Sequence, residues 1–223
     1  MKKIILLLAF CLSVGNLFAQ DANADKLREE GDAAMTAKNY PEVVAKYSEY
    51  LKLTNYEDES RVFNCAFAAY NAKKYDDAIK FYDMAIQKGY KTDDAYVGKA
   101  MSLRSQDKAA DFTATVEAGL KANAQNANLE KLLYAYCMKK GQAAQKAGKT
   151  EEAEELFKDV LVVGNAKYKG NALYSLGVMF YNAGAKILAD ANPIATSDPD
   201  KYAAEKKKAD AQMAKAKGYL EQA

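Results

Sequence analysis

The chain has 223 residues, half of them apolar and 28% charged, which is enough for a sizeable buried core. It has no histidine, which excludes Ser-His-Asp and Cys-His catalysis, histidine metal sites and histidine pH switching. With 32 basic against 30 acidic residues there is no basic excess for a nucleic-acid footprint, and 3 prolines and 12 glycines are too few turn residues for a sandwich or barrel.

The N-terminus reads Met1-Lys2-Lys3, then an apolar stretch from Ile4 to Val14, then small and polar residues ending Leu17-Phe18-Ala19-Gln20. A charged start, a short apolar middle and a small residue at the junction make residues 1–19 a secretory signal peptide, cleaved after Ala19. The apolar run is shorter than the roughly 18 residues of a membrane span, and Cys11 follows the bulky Phe10, where a lipoprotein signal has a small residue. The expected location is therefore exported, periplasmic or envelope-associated, with no transmembrane segment after the leader is removed. Taking away Lys2 and Lys3 leaves 30 bases and 30 acids, a neutral mature chain. Two cysteines, Cys65 and Cys137, remain in an oxidising compartment; they are too few for a disulfide framework, and a whole repeat separates them.

From Asp21 onward, apolar residues recur at three- and four-residue spacing in runs broken by short polar turns, which is the period of amphipathic helices. The segments also resemble one another. Lys38-Asn39-Tyr40, with Val43 and Tyr47 following, aligns with Lys73-Lys74-Tyr75, followed by Ala78 and Tyr82, at a shift of 35 residues. A third copy starts at Gly148-Lys149-Thr150 and continues through Ala153 and Phe157. A complementary pattern, Leu173-x-x-Leu176-Gly177-x-x-Phe180, stands in the last third. Gly31 and Gly141 mark points where one helix of a pair can approach the other closely, and Ala66 and Ala100 substitute for glycine elsewhere.

These motifs, in this order and at this period, resemble the tetratricopeptide repeat (TPR) family over nearly all of residues 20–223. The resemblance implies an all-α solenoid of about five helix-turn-helix repeats with a right-handed superhelical curve, near 24–57, 59–91, 93–124, 127–163 and 169–223. The third repeat is degenerate, with Ala109 in place of Tyr and Phe112 in place of a small residue. The first helix of the fourth repeat is over-long and starts near Leu129. In the fifth, Pro193 and Pro199 predict a loop over 190–200, with helix resuming at Lys201. In TPR arrays the first helices line a concave groove. The resemblance thus assigns groove positions to Phe63, Asn64, Phe67, Tyr70 and Asn71, to Val97, Met101 and Arg104, and to Tyr174, Val178, Tyr181 and Asn182. Some TPR proteins clamp a partner's C-terminal carboxylate with Lys and Asn on a first helix, Asn on the next, and Lys and Arg on the third. Here Arg28, Asp32, Asn64, Asp94 and Gly98 hold those places, and two acids and a glycine do not fit.

Other patterns read as structure. No GxxxxGK[ST] or GxGxxG cradle occurs. Glu151-Glu152 and Asp76-Asp77 fall in first turns of helices, where acids are favourable. Asp190, Asn192, Asp198 and Asp200 lack the spacing and glycine of a calcium loop. Lys206, Lys207, Lys208, Lys215 and Lys217 are diluted by Glu205, Asp210 and Glu221, as on a solvated face. No cofactor or metal is expected. The chain reads as a non-enzymatic scaffold that binds a protein or peptide in its groove; the alternative is a small-solute or glycan capture protein with an aromatic groove. Protein taken from the envelope fraction should show, by intact mass, a chain starting at Gln20; a mass that retains residues 1–19, or carries acyl chains on Cys11, contradicts the cleavage.

Overall fold

The structure is a computed structural model that describes residues 21–223; the signal peptide expected over residues 1–19 lies outside the described residues. Every regular element among them is helical. In order they are α1 (residues 21–36), α2 (Tyr40–Leu53), α3 (Glu59–Asn71), α4 (Tyr75–Lys88), α5 (Thr92–Ser105), α6 (Ala109–Ala122), α7 (Ala127–Lys146), α8 (Thr150–Asp159), a 3-10 turn (Val160–Val162), α9 (Ala166–Ala191), a second 3-10 turn (Asn192–Ile194) and α10 (Pro199–Leu220). No helix among the described residues is long and apolar enough to cross a membrane.

The ends of these helices are set by local chemistry. Asp58, Asn126, Asn165 and Asp198 each accept the backbone N–H three residues on, satisfying a donor that the first turn leaves free. One turn closes α1, α3, α5 and α7 alike, and the same bond pattern ends α2 and α4, where Tyr56 N–H reaches Leu51 O and Tyr90 N–H reaches Ala85 O. Asn39 N–H reaches Ala34 O, Lys74 reaches Ala69 O, Lys108 reaches Leu103 O and Lys149 reaches Ala144 O, all at 2.8–3.1 Å. The residue before each of these donors has positive φ: Lys38, Lys73, Asp107 and Gly148. This is the Schellman closure of a helix C-terminus, and three of these four left-handed positions carry a side chain rather than glycine.

The expected loop over 190–200 is mostly helical. Asp190 and Ala191 complete α9, Pro193 sits in the 3-10 turn, and Pro199 opens α10 behind the Asp198 cap. Proline is excluded from a helix interior, but its missing N–H costs nothing in the first turn. Helix resumes two residues before Lys201, and α7 begins two residues before Leu129.

The chain divides into two compact units, residues 1–115 and 116–223, with the boundary inside α6. In the first unit, described from residue 21, α2, α3, α4 and α5 pack consecutively. Its core contains Val43, Tyr47, Leu51, Val62, Ala66, Ala69, Phe81 and Tyr82. A Cβ on Gly31 would run into the Tyr47 ring, and one on Gly98 into the Tyr82 ring. A polar network joins α1, α2 and α3. Tyr47 Oη donates to Asp32 Oδ1 at 2.5 Å, and Arg61 Nη2 to Asp32 Oδ2 at 2.8 Å. Tyr50 Oη donates to Asp58, which also caps α3. Burial works to raise the pKa of Asp32, but the bonds from Arg61 and Tyr47 outweigh it and hold the carboxyl below its ordinary value.

In the second unit α7 packs on α8, and α9 on α8 and α10. A Cβ on Gly141 would stand 2.6 Å from Phe157 Cε1, and one on Gly177 2.5 Å from Leu220 Cγ. The buried Glu130 accepts the N–H groups of Gly164 and Asn165, fixing the turn that launches α9. Tyr134 stacks on Tyr168 with centroids 4.3 Å apart, and Phe180 on Tyr219 at 5.7 Å. At the end of α8, burial and the nearby Glu117 and Glu155 push the Asp159 carboxyl up to about 6.

Two measurements test these forces. Gly141→Ala should destabilise by about 1–3 kcal/mol through overpacking against Phe157, lowering the melting midpoint by several degrees; an unchanged midpoint contradicts the close crossing. Because folded Asp159 holds its proton above the ordinary 3.8, its contribution is complete below about pH 4 and is lost as pH rises through about 6. Asp159→Asn should therefore stabilise the chain at pH 8 by about 1 kcal/mol, after allowance for solvent screening, and leave it unaltered at pH 4. Equal gains at both pH values would show that the carboxyl is not the cause.

Candidate protein-binding surfaces

In the first unit, Val62, Cys65, Ala66, Ala68 and Ala69 turn one side of α3 into the core. The small Ala66 and Ala69 let neighbouring helices approach. Phe63, Phe67 and Tyr70, at i, i+4 and i+7, lie on the other side of α3. They are not equally free. Phe63 is half-buried, edge-on to Tyr82 at 5.8 Å and to Tyr90 at 6.1 Å, with Lys91 Nζ 5.0 Å from its ring centroid. Tyr70 is half-buried against Tyr75, with centroids 5.9 Å apart. Phe67 is 42% exposed and meets the edge of the Tyr40 ring at 5.9 Å. Asn71 is exposed and donates Nδ2 to Phe67 O at 2.8 Å, and Asn64 is half-buried. On α5, Val97, Met101 and Arg104 repeat the i, i+4, i+7 pattern; Val97 and Met101 are half-buried and Arg104 is exposed.

In the second unit, Tyr174 is 61% exposed and Tyr181 54%, one on each side of the half-buried Val178, with Asn182 also exposed. An open cleft of about 450 Å³ lies beside Tyr181, lined by Met213, Ala216, Lys217, Leu220 and Glu221 of α10 and the turn that follows it. Met213 and Leu220 escape a reading that looks for sites on first helices. Their seven-residue spacing on a lysine-rich helix was the available signal.

The positions a carboxylate clamp would use are committed elsewhere in the first unit. Arg28 pairs with Asp25 at 3.1 Å, Asp32 is held by Tyr47 and Arg61, and Gly98 lies against the Tyr82 ring. Asp190 pairs with Lys186, and Asp198 caps α10. Cys65 and Cys137 are free thiols buried in separate units, and burial pushes each up to about 12, so neither is a thiolate nucleophile at neutral pH.

No family model matches the chain. Over 154 residues, 66% of its length, the chain is 30% identical to Hsp70-Hsp90 organizing protein 1 of Glycine max. The match covers 26% of that protein, so the chain spans about a quarter of the length of this curated relative. The crystal structure of a TPR repeats protein from Bacteroides fragilis aligns with a TM-score of 0.83 at 46% identity, covering 89% of each chain. Helices packed in sequence order, recurrent Schellman turns and close crossings at Gly31 and Gly141 accompany this likeness, and the chain belongs to the tetratricopeptide repeat family.

Proposed function

We propose that this chain is a non-enzymatic scaffold of the bacterial cell envelope that takes a protein or peptide partner along the outer faces of α3 and α5, the first-helix positions expected to line a groove. Tetratricopeptide arrays are in general non-catalytic scaffolds for protein partners. The observation that carries the reading is Phe67, a large aromatic side chain left 42% exposed on the side of α3 opposite its buried alanines. Exposed aromatics combine contact area with a low entropy cost and recur as anchors of binding. Asn71 beside it offers amide polarity, and Arg104 on α5 a cation. The Glycine max relative bears a name that points to protein partners. Asp32, Asp94 and Gly98 replace the Asn, Lys and Arg of a carboxylate clamp, so the partner is held by apolar contact rather than by its C-terminus. The leader over residues 1–19 supports the envelope location.

Pull-down from an envelope extract should recover one protein in stoichiometric amount. Phe67→Ala should weaken its binding by about 2 kcal/mol, as truncation of an anchor does, with little change in melting temperature. Phe63→Ala removes a ring that Tyr82 and Tyr90 already cover and should instead cost about 2–3 kcal/mol of stability. A large loss of melting temperature in Phe67→Ala, with affinity unchanged in the folded fraction, would end this reading.

A further inference from the structure

Along α10, residues 206, 210, 213, 217 and 220 recur at spacings of four and three, which sets them on one face of the helix. They are Lys206, Asp210, Met213, Lys217 and Leu220, with Glu221 beside the last. The charged part of the stripe is open to solvent, whereas Met213 is half-buried against Gly184 of α9 and Leu220 packs over Gly177 with one edge left free. The four charged side chains are 54%, 59%, 76% and 64% exposed in chain order, and Leu220 is 40% exposed. Met213 and Leu220 line the cleft next to the exposed Tyr181, so the charged residues flank an apolar centre.

The signs along the stripe alternate, positive at 206, negative at 210, positive at 217 and negative at 221. Within the chain, Lys206 pairs with Asp210 at 2.9 Å and Lys217 with Glu221 at 3.6 Å. The pattern is its own complement when reversed. Two copies of α10 laid antiparallel about a two-fold axis between residues 213 and 214 place Lys206 opposite the second copy's Glu221, and Asp210 opposite the second copy's Lys217. The exposed part of Met213 then faces its counterpart beside the axis, and the free edges of Leu220 and Tyr181 widen the apolar contact. A wholly acidic or wholly basic partner helix would match half the charges and oppose the rest, whereas this order fits itself. We propose that this face is a self-association surface, through which two copies of the chain pair by an isologous, antiparallel α10 contact. The proposal is independent of the groove at Phe67, which lies in the other unit.

Sedimentation equilibrium of the full chain over a range of concentrations tests it, with circular dichroism confirming that each variant folds. The native chain should show a reversible monomer–dimer equilibrium. Asp210→Lys alone and Lys217→Glu alone each set like charges across the axis twice, and each should weaken the dimer at least tenfold. An equimolar mixture of these two variants brings the new cation at 210 against the new acid at 217 and restores opposite charges at the second contact, so it should form heterodimers with near-native affinity. A chain that stays monomeric at every concentration, a dimer that neither variant weakens, or a mixture that fails to recover would each overturn the proposal. A monomer that nevertheless captures another protein through Met213 and Leu220 would also overturn it, because the occupant would then be a foreign helix.

Discussion

Two helices joined by a three-residue turn lie flat against each other only where one of them gives up its side chain to the other. Gly31 beneath Tyr47 and Gly141 beneath Phe157 are such places, and in both the aromatic follows the glycine by 16 residues. Interiors packed near crystal density have no room for a methyl group that was not there from the start. The ring fills the volume the glycine leaves, so the hairpin closes without a void. The rest of each unit inherits this geometry. Tyr47, drawn into the crossing, brings its hydroxyl to Asp32, and Asp32 in turn holds Arg61 of the following helix. A steric constraint thus becomes a polar link to the next element.

The same economy explains why anything is left for a partner. A helix turned toward the core by Val62, Cys65, Ala66 and Ala69 presents what remains to its other side. On α3 that remainder is aromatic, and the neighbours claim only part of it: Tyr82, Tyr90 and Lys91 cover Phe63, Tyr75 covers part of Tyr70, and Phe67 stays open. Surface chemistry and fold chemistry are therefore adjacent on one helix, four residues apart. In the second unit the open aromatics Tyr174 and Tyr181 lie on α9, whose course depends on Glu130 holding the amides of Gly164 and Asn165. A buried carboxylate with two backbone donors is a rigid anchor, because leaving either donor unpaired in the interior is costly.

Much of the architecture was legible because it is written in local spacing. The Tyr40 and Tyr75 registers, the crossings at Gly31 and Gly141 and the over-long α7 follow from residues close in the chain. What failed depended on partners far away or on position within a turn. Gly98 passed unnoticed as a crossing because it faces back to Tyr82 of the preceding helix rather than forward, and spacing does not say which neighbour a small residue serves. Pro193 and Pro199 read as breakers, yet each sits in a first turn, where the ring is harmless. Phe63 and Phe67 share a face and look equivalent in sequence. Their different fates are decided by Tyr82, Tyr90 and Lys91, which lie 19 or more residues further along.

The recurrent turn closes by bonds that span no more than five residues, from Asn39 to Ala34 and from Lys74 to Ala69, and needs nothing from outside its own hairpin. Lysine and aspartate serve at its left-handed position as well as glycine does. A segment built this way is a cassette: it can be copied, inserted or lost as a block by recombination, with each join falling in solvent and only links to the next hairpin, such as Asp32 to Arg61, to be re-made. Lengthening such a chain by one block asks for no new fold, only for one more side left open to whatever binds next.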